Sequence, residues 1–275
     1  MSSEGGKQTV YIVRYGLTKH PLRENVGPYD SKIIDPSICY ANRICALTSP
    51  SYRSGDIDPA EGAQHANCIA KCLASEDAPT VVYSSPFRRC AHTAQLIALA
   101  LPRPVVRIEE GLTEWLIPSL LVDPSGIKTN PRSVAELAVV YGTIDDTYES
   151  VNPVVPDDAT EVPEGAPKFV ESEEALMKRC ATTLQRILEN SNGESIAIVS
   201  HAPCDQSIAF CLEGASSPAE SKLSPWPLGG ITKFSRVLNS DGSLGGWTLE
   251  KYGDTAHLAG KYKAGIKKWS LPSFE

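Results

Sequence analysis

Residues 80–101, TVVYSSPFRRCAHTAQLIALAL, carry the reading of the fold. Thr80–Tyr83 is a short β-branched and aromatic run of the kind that forms a buried strand. It breaks at Ser84-Ser85-Pro86, where the pattern predicts a helix opened by Pro86 and capped by Ser85. That helix carries Arg88, Arg89, His92 and Thr93 ahead of its apolar positions. Similar strand-to-loop transitions flank it. Val10–Val13 ends at Arg14-Tyr15-Gly16, Val105–Ile108 delivers Gly111-Leu112-Thr113-Glu114-Trp115, and Ser195–Val199 ends at Ser200-His201. Helical periodicity follows Asp58-Pro59 in AQHANCIAKCLASE and recurs over Ser172–Asn190 and Cys204–Leu212. Ser172 stands three residues before Ala175, so no capping box forms there, but Glu173 and Glu174 suit a first turn. The alternation predicts an α/β fold, a doubly wound and mostly parallel sheet with helices on both faces. A late hairpin is expected from PLGGITKF and GGWTLEKY.

The chain has 275 residues, which favours one domain over 1–275. Residues 20–58 read as a surface excursion. Residues 117–168, rich in proline and acidic side chains, read as an insertion or lid after the third strand. A net charge of −7 without a Lys/Arg block argues against general nucleic-acid binding. No run approaches the roughly 18–20 apolar residues of a membrane helix. The N-terminal MSSEGGKQT lacks a signal peptide's apolar stretch. Eight scattered cysteines, of which Cys68 and Cys72 stand closest, form no CxxC pair and read as reduced thiols. The expected location is cytoplasmic.

Four polar signals fall at the carboxyl ends of predicted strands or just beyond them, where ligands bind in open parallel sheets. Arg14, Arg88 or Arg89, Glu114 and His201 therefore converge from distant parts of the chain. Guanidinium forks match phosphate oxygens and stay charged at neutral pH. A helix N-terminus after Pro86 adds N–H donors. Glu114 suits protonation of a leaving oxygen, and His201 suits stabilisation of developing charge.

In order and spacing, R-x-G at residues 14–16, SSPFRRCAHTA at 84–94, GLTEW at 111–115 and VSHA at 199–202 resemble the histidine phosphatase (phosphoglycerate mutase-like) superfamily. Pro59-x-x-Gly62-x-x-x-Ala66 also fits. The likeness is strongest to the phosphatase domain of suppressor-of-T-cell-receptor-signalling proteins and to ecdysteroid-phosphate phosphatases. GLTEW, the insertion containing DDTY, VSHA in place of VSHG and the GG-W ending carry it. The resemblance implies phosphotransfer through a phosphohistidine with no metal and no organic cofactor. It implies a phosphate pocket at Arg14, Arg89 and His201, with Glu114 as proton donor. It also implies a homodimer and a phosphate or phosphomonoester ligand, free or carried by a phosphoprotein.

The chain departs from that pattern at the nucleophile, where Tyr15 occupies the position of the reactive histidine. A phenol ionises near pH 10, and an aryl phosphate is a stable ester. Turnover through Tyr15 would stall. Another arginine of the related phosphatases is replaced by Thr18, and neither His20 nor His92 reads as a substitute nucleophile. The sequence thus predicts a pseudophosphatase, catalytically impaired and acting by binding. The alternative is an active phosphomonoesterase using an unusual nucleophile or water. A mutase reading is weaker because it needs the phosphoenzyme even more. A purely structural module leaves the retained arginines, Glu114 and His201 unexplained.

Overall fold

The computed structural model describes residues 6–16, 61–103, 105–121, 130–215, 226–239, 243–258 and 268–269. Thr18, Pro59, the whole 20–58 excursion including His20, and residues 122–129 of the insertion lie outside the described residues.

In chain order, the described elements are β1 (Lys7–Arg14), α1 (Glu61–Ser75), β2 (Val81–Ser84), α2 (Arg88–Ala98), β3 (Val106–Ile108), α3 (Pro118–Leu121), α4 (Val134–Val140), α5 (Glu173–Asn190), β4 (Ile196–Ser200), α6 (Ala202–Glu213), β5 (Trp226–Pro227), β6 (Ile231–Val237), β7 (Thr248–Asp254) and β8 (Lys268–Trp269). A 3₁₀ turn covers Glu110–Leu112. The main sheet runs β3-β2-β4-β1-β6-β7. Its first four strands are parallel, and the β6–β7 hairpin adds an antiparallel edge.

The strands read as near-continuous apolar runs because both faces of the sheet are covered. Tyr11 and Val13 of β1, with Ala197 and Val199 of β4, pack with Ile69, Ala70 and Leu73 of α1 and the Cys90–Ala94–Ile97 stripe of α2. Val10, Ile12, Ile196 and Ile198 point the other way, against Leu176, Cys180, Leu184 and Ile187 of α5 and Ile208 of α6. The i, i+4 and i, i+7 spacing of these helical residues is the apolar stripe that a sheet-facing helix presents. Ser172 caps α5 through Ala175 N–H at 3.1 Å.

One detail of the sequence reading is corrected. Helix α2 begins at Arg88, with Phe87 as N-cap and no side-chain cap, so Ser85 does not cap it and Pro86 does not open it. Ser85 Oγ is engaged elsewhere, 2.8 Å from the His201 ring. The Pro-rich segment after β3 also forms two helices, one of them closed by a capping box between Ser133 and Glu136. Its two ends meet: Glu171 N–H donates to the Leu116 carbonyl at 2.9 Å. Further along, Ile144 bridges Val106, and the Tyr148 hydroxyl donates to Glu109 at 2.8 Å, docking this stretch beside β3.

Register positions the candidate site. Arg14 stands opposite Ser200, and Ser84 stands opposite Val199, so the carboxyl ends of β1, β2 and β4 finish level. Gly16 then lies so close to α1 that an added Cβ would sit 2.8 Å from the Gly62 carbonyl oxygen. Gly16→Ala should therefore cost about 1–3 kcal/mol in urea unfolding. Gly142→Ala, where a Cβ meets nothing within 4 Å, should stay within about 0.5 kcal/mol of wild type.

Candidate active site

Arg89 lies in the first turn of α2 and is fully buried. Its Nη2 is 3.0 Å from Glu114 Oε2 and 2.9 Å from His201 Nδ1. Its guanidinium carbon sits 4.7 Å from the Phe87 ring centroid and 5.0 Å from that of Tyr15. Arg14, the last residue of β1, donates from Nη1 to the Trp226 carbonyl at 2.6 Å. Its guanidinium carbon lies 5.8 Å from the same Tyr15 ring. Tyr15 is itself buried and meets His201 edge-on, with ring centroids 5.7 Å apart. The phenol ring thus stands among both guanidinium groups and the imidazole.

His201 follows β4 directly and is fully buried. Its Nδ1 is 3.0 Å from Glu114 Oε2, and its Nε2 is 2.8 Å from Ser85 Oγ. Nδ1 faces both a donor, Arg89 Nη2, and an acceptor, Glu114 Oε2. We assign it the hydrogen because a carboxylate only accepts, which leaves Nε2 to accept from the Ser85 hydroxyl and makes the Arg89 Nη2–Nδ1 approach a close contact and not a hydrogen bond. Burial pushes the imidazole down to about 4, with Glu114 opposing and Arg89 adding, so the ring is neutral at pH 7. Burial alone would raise Glu114. The His201 ring, the Arg89 guanidinium and the Trp115 N–H outweigh it and hold the carboxyl at about 2. Glu114 is therefore an ionised hydrogen-bond acceptor at neutral pH, not a carboxylic acid with a proton to give.

Arg14, Tyr15, Arg89, Glu114 and His201 are all brought together. His92 is not part of this network as described; it stacks on Tyr141 at 5.6 Å, and burial, with Arg88 adding, pushes it down to about 4. Cys68 and Cys72 are free thiols. Among the described residues, no group of three or more His, Cys, Asp or Glu is placed to hold a metal ion, and no helix is long and apolar enough to cross a membrane.

Sequence reasoning missed Ser85 as the partner of His201 and Trp226 as the carbonyl that holds Arg14. It also missed Asp205, a buried carboxyl one helical turn beyond His201 with neither oxygen hydrogen-bonded among the described residues. Burial and then Cys204 push Asp205 well up, with Arg14 opposing. Arg179 and Glu171, a buried pair beneath the Glu114 loop, were missed as well. Arg179 carried a legible signal, a charge three residues after Leu176 and one before Cys180 on the apolar stripe of α5.

The family model for the histidine phosphatase superfamily (branch 1) matches residues 56–120. Phosphoglycerate mutase-like protein 4 of Arabidopsis thaliana is 28% identical over 199 residues, 72% of this chain and 74% of that protein. The 55 kDa subunit of transcription factor tau of Saccharomyces cerevisiae is 28% identical over 218 residues, 78% of this chain but 42% of that protein. These matches support the likeness to the histidine phosphatase superfamily. The crystal structure of the ecdysone phosphate phosphatase from Bombix mori, in complex with tungstate, superposes with a TM-score of 0.53. It is 16% identical and covers 89% of this chain and 92% of its own, a likeness of fold. In this chain the motif stretches quoted above hold Arg14, Tyr15, Arg89, Glu114 and His201.

The buried ring sets an acid limit on stability. His201 is neutral in the folded chain down to about pH 4, whereas an unfolded histidine takes its proton near pH 6.5. The unfolded state therefore binds more protons between those values, and stability falls as pH drops through that window. The contribution is about 3 kcal/mol for one such group. His92 adds in the same direction, and Glu114 extends the loss below pH 4.5. Urea midpoints measured from pH 7 to 4 should fall steadily, and His201→Gln should flatten the slope by about one proton.

Proposed function

We propose that this chain is a binding protein on a phosphatase scaffold. It holds a phosphate or phosphomonoester at Arg14, Arg89 and His201, and its covalent turnover is impaired because Tyr15 stands at the nucleophile position. The observation that carries this reading is the Tyr15 ring lying 5.0 Å from the Arg89 guanidinium, 5.8 Å from that of Arg14 and edge-on to His201. An aryl ring there offers no lone pair comparable to imidazole nitrogen. It also takes up space beside the cations that recognise the anion. The ionised state of Glu114 points the same way, because a proton donor for the leaving oxygen is missing at neutral pH. The tungstate bound to the silkworm phosphatase supports an oxyanion as ligand for this scaffold. The yeast relative, by name a subunit of a transcription factor, supports a protein-binding role, and the partner we propose is a phosphoprotein.

The second reading, an active phosphomonoesterase attacking with water or an unusual nucleophile, is favoured by the hydrogen-bonded chain from Ser85 through His201 to Glu114. We also propose that the whole chain is one domain in which residues 117–168 shape access to the site. The meeting of Leu116 and Glu171 beside Glu114 supports this. A cytoplasmic homodimer completes the proposal.

Calorimetry should show phosphate or vanadate binding to the wild-type chain and its loss in Arg89→Ala. Hydrolysis of p-nitrophenyl phosphate should stay near background for the wild type and rise at least about tenfold in Tyr15→His, since restoring a covalent nucleophile reopens the two-step path. Equal rates in the two proteins would favour the active phosphomonoesterase. An anion signal indifferent to Arg89→Ala would remove the pocket.

A further inference from the structure

The loop that carries Glu114 is gripped from below by a fully buried arginine to which no role in the site has been given. Arg179 of α5 donates from Nη1 to the carbonyls of Gly111 at 2.8 Å and Thr113 at 3.0 Å, and from Nη2 to that of Glu114 at 3.4 Å. Its charge is met by Glu171 through two bonds of 2.7 Å, from Nε and Nη2. Glu171 reaches back to the same loop, accepting from Leu116 N–H at 3.2 Å. The guanidinium fork therefore fixes the backbone on both sides of residue 114. Above this clamp, the Glu114 side chain has little freedom. Oε1 accepts from Trp115 N–H at 3.1 Å, and Oε2 is shared between Arg89 and His201 at 3.0 Å each.

Those two donors are the ones a bound phosphate would use. A carboxylate accepting from a guanidinium and an imidazole N–H makes the charge-assisted contacts of an oxyanion. We propose that Arg179, with Glu171, is a positioning residue that seats the Glu114 carboxylate between Arg89 and His201, so that Glu114 is the resident anion with which any phosphate must compete. The inference rests on the phosphate-binding reading above and adds what limits its affinity. Arg179 touches no ligand; it acts through the backbone of the Glu114 loop.

The experiment is phosphate titration by calorimetry on the full chain, with wild type, Glu114→Gln, Arg179→Lys and Arg89→Ala compared at pH 7.5. Imidazole ¹⁵N spectra of the same proteins report the Nδ1–H of His201. Glu114→Gln removes the competing charge at nearly constant volume and should tighten phosphate binding at least about tenfold. Arg179→Lys keeps the charge but replaces the fork with a point donor unable to hold the same carbonyls. It should tighten binding by a smaller factor and shift the His201 Nδ1 resonance, which a loss of global stability alone would not do in the folded fraction. Binding that is unchanged or weaker in Glu114→Gln, while remaining sensitive to Arg89→Ala, would overturn this inference and leave the phosphate-binding reading standing. An unmoved His201 resonance in folded Arg179→Lys would remove the positioning role. Should Arg179→Lys fail to fold, Glu114→Gln still decides whether the resident anion exists. Failure of both wild type and Glu114→Gln to bind phosphate would overturn both.

Discussion

A guanidinium with no exposure to water sets the terms for everything around it. Arg89 is fully buried, and an arginine does not escape burial by losing its proton. The charge must be met by acceptors and by aromatic faces, and removing one partner of such a pair typically costs about 3–5 kcal/mol. Glu114 supplies the counter-charge, and the Phe87 and Tyr15 rings lie beside the cation. Arg89 adds to the His201 ring in keeping Glu114 ionised, and adds to burial in keeping His201 neutral.

The sheet delivers these groups, and it does so by register. A one-residue slip of β1 against β4 would turn Tyr11 and Val13 toward α5 and carry Arg14 to the opposite face. Alternate burial on two covered faces makes that slip costly, so hydrophobic packing far from the cluster holds the polar residues in place. The closure of the 117–170 excursion works in the same sense. Its ends are joined at Leu116 and Glu171, and the pair beneath them grips the Glu114 loop. Rigidity at Glu114 is thus owed to residues more than fifty positions away in the chain.

How much of this was legible differs by the kind of interaction. Strands β1 to β4 and the stripe of α5 follow from apolar periodicity, which a sequence carries openly. The convergence of Arg14, Arg89, Glu114 and His201 follows from their places at or just beyond strand ends. Ser85 was read as a helix cap because local patterns favour it there, and a tertiary partner, the His201 ring, won instead. Trp226 was invisible for a different reason: its contact runs through a backbone carbonyl, which every residue has. Arg179 stood out only as a charge on the apolar stripe of α5, and the carbonyls it holds could not be read from it. The capping box Ser133-Val134-Ala135-Glu136 did stand in the sequence. It was obscured by the prolines and acids around it, which make that stretch look structureless.

Retention of a catalytic residue set is weak evidence for catalysis when the residues also solvate one another. Arg89, Glu114 and His201 form a nearly closed set of mutual partners, and the Tyr15 ring contributes a cation–π contact worth about 0.5–2 kcal/mol. A chain that had lost its nucleophile would still be penalised for losing any of these three. Arg14 is not covered by that argument. It too is buried, yet among the described residues its side chain hydrogen-bonds to the Trp226 carbonyl and its Nε has no partner. The carboxyl of Asp205 faces it electrostatically without a hydrogen bond and is pushed toward its neutral form. A buried cation that is only partly satisfied is costly. Mutual solvation accounts for Arg89 and its partners; under the binding reading proposed above, an anion would complete the shell of Arg14.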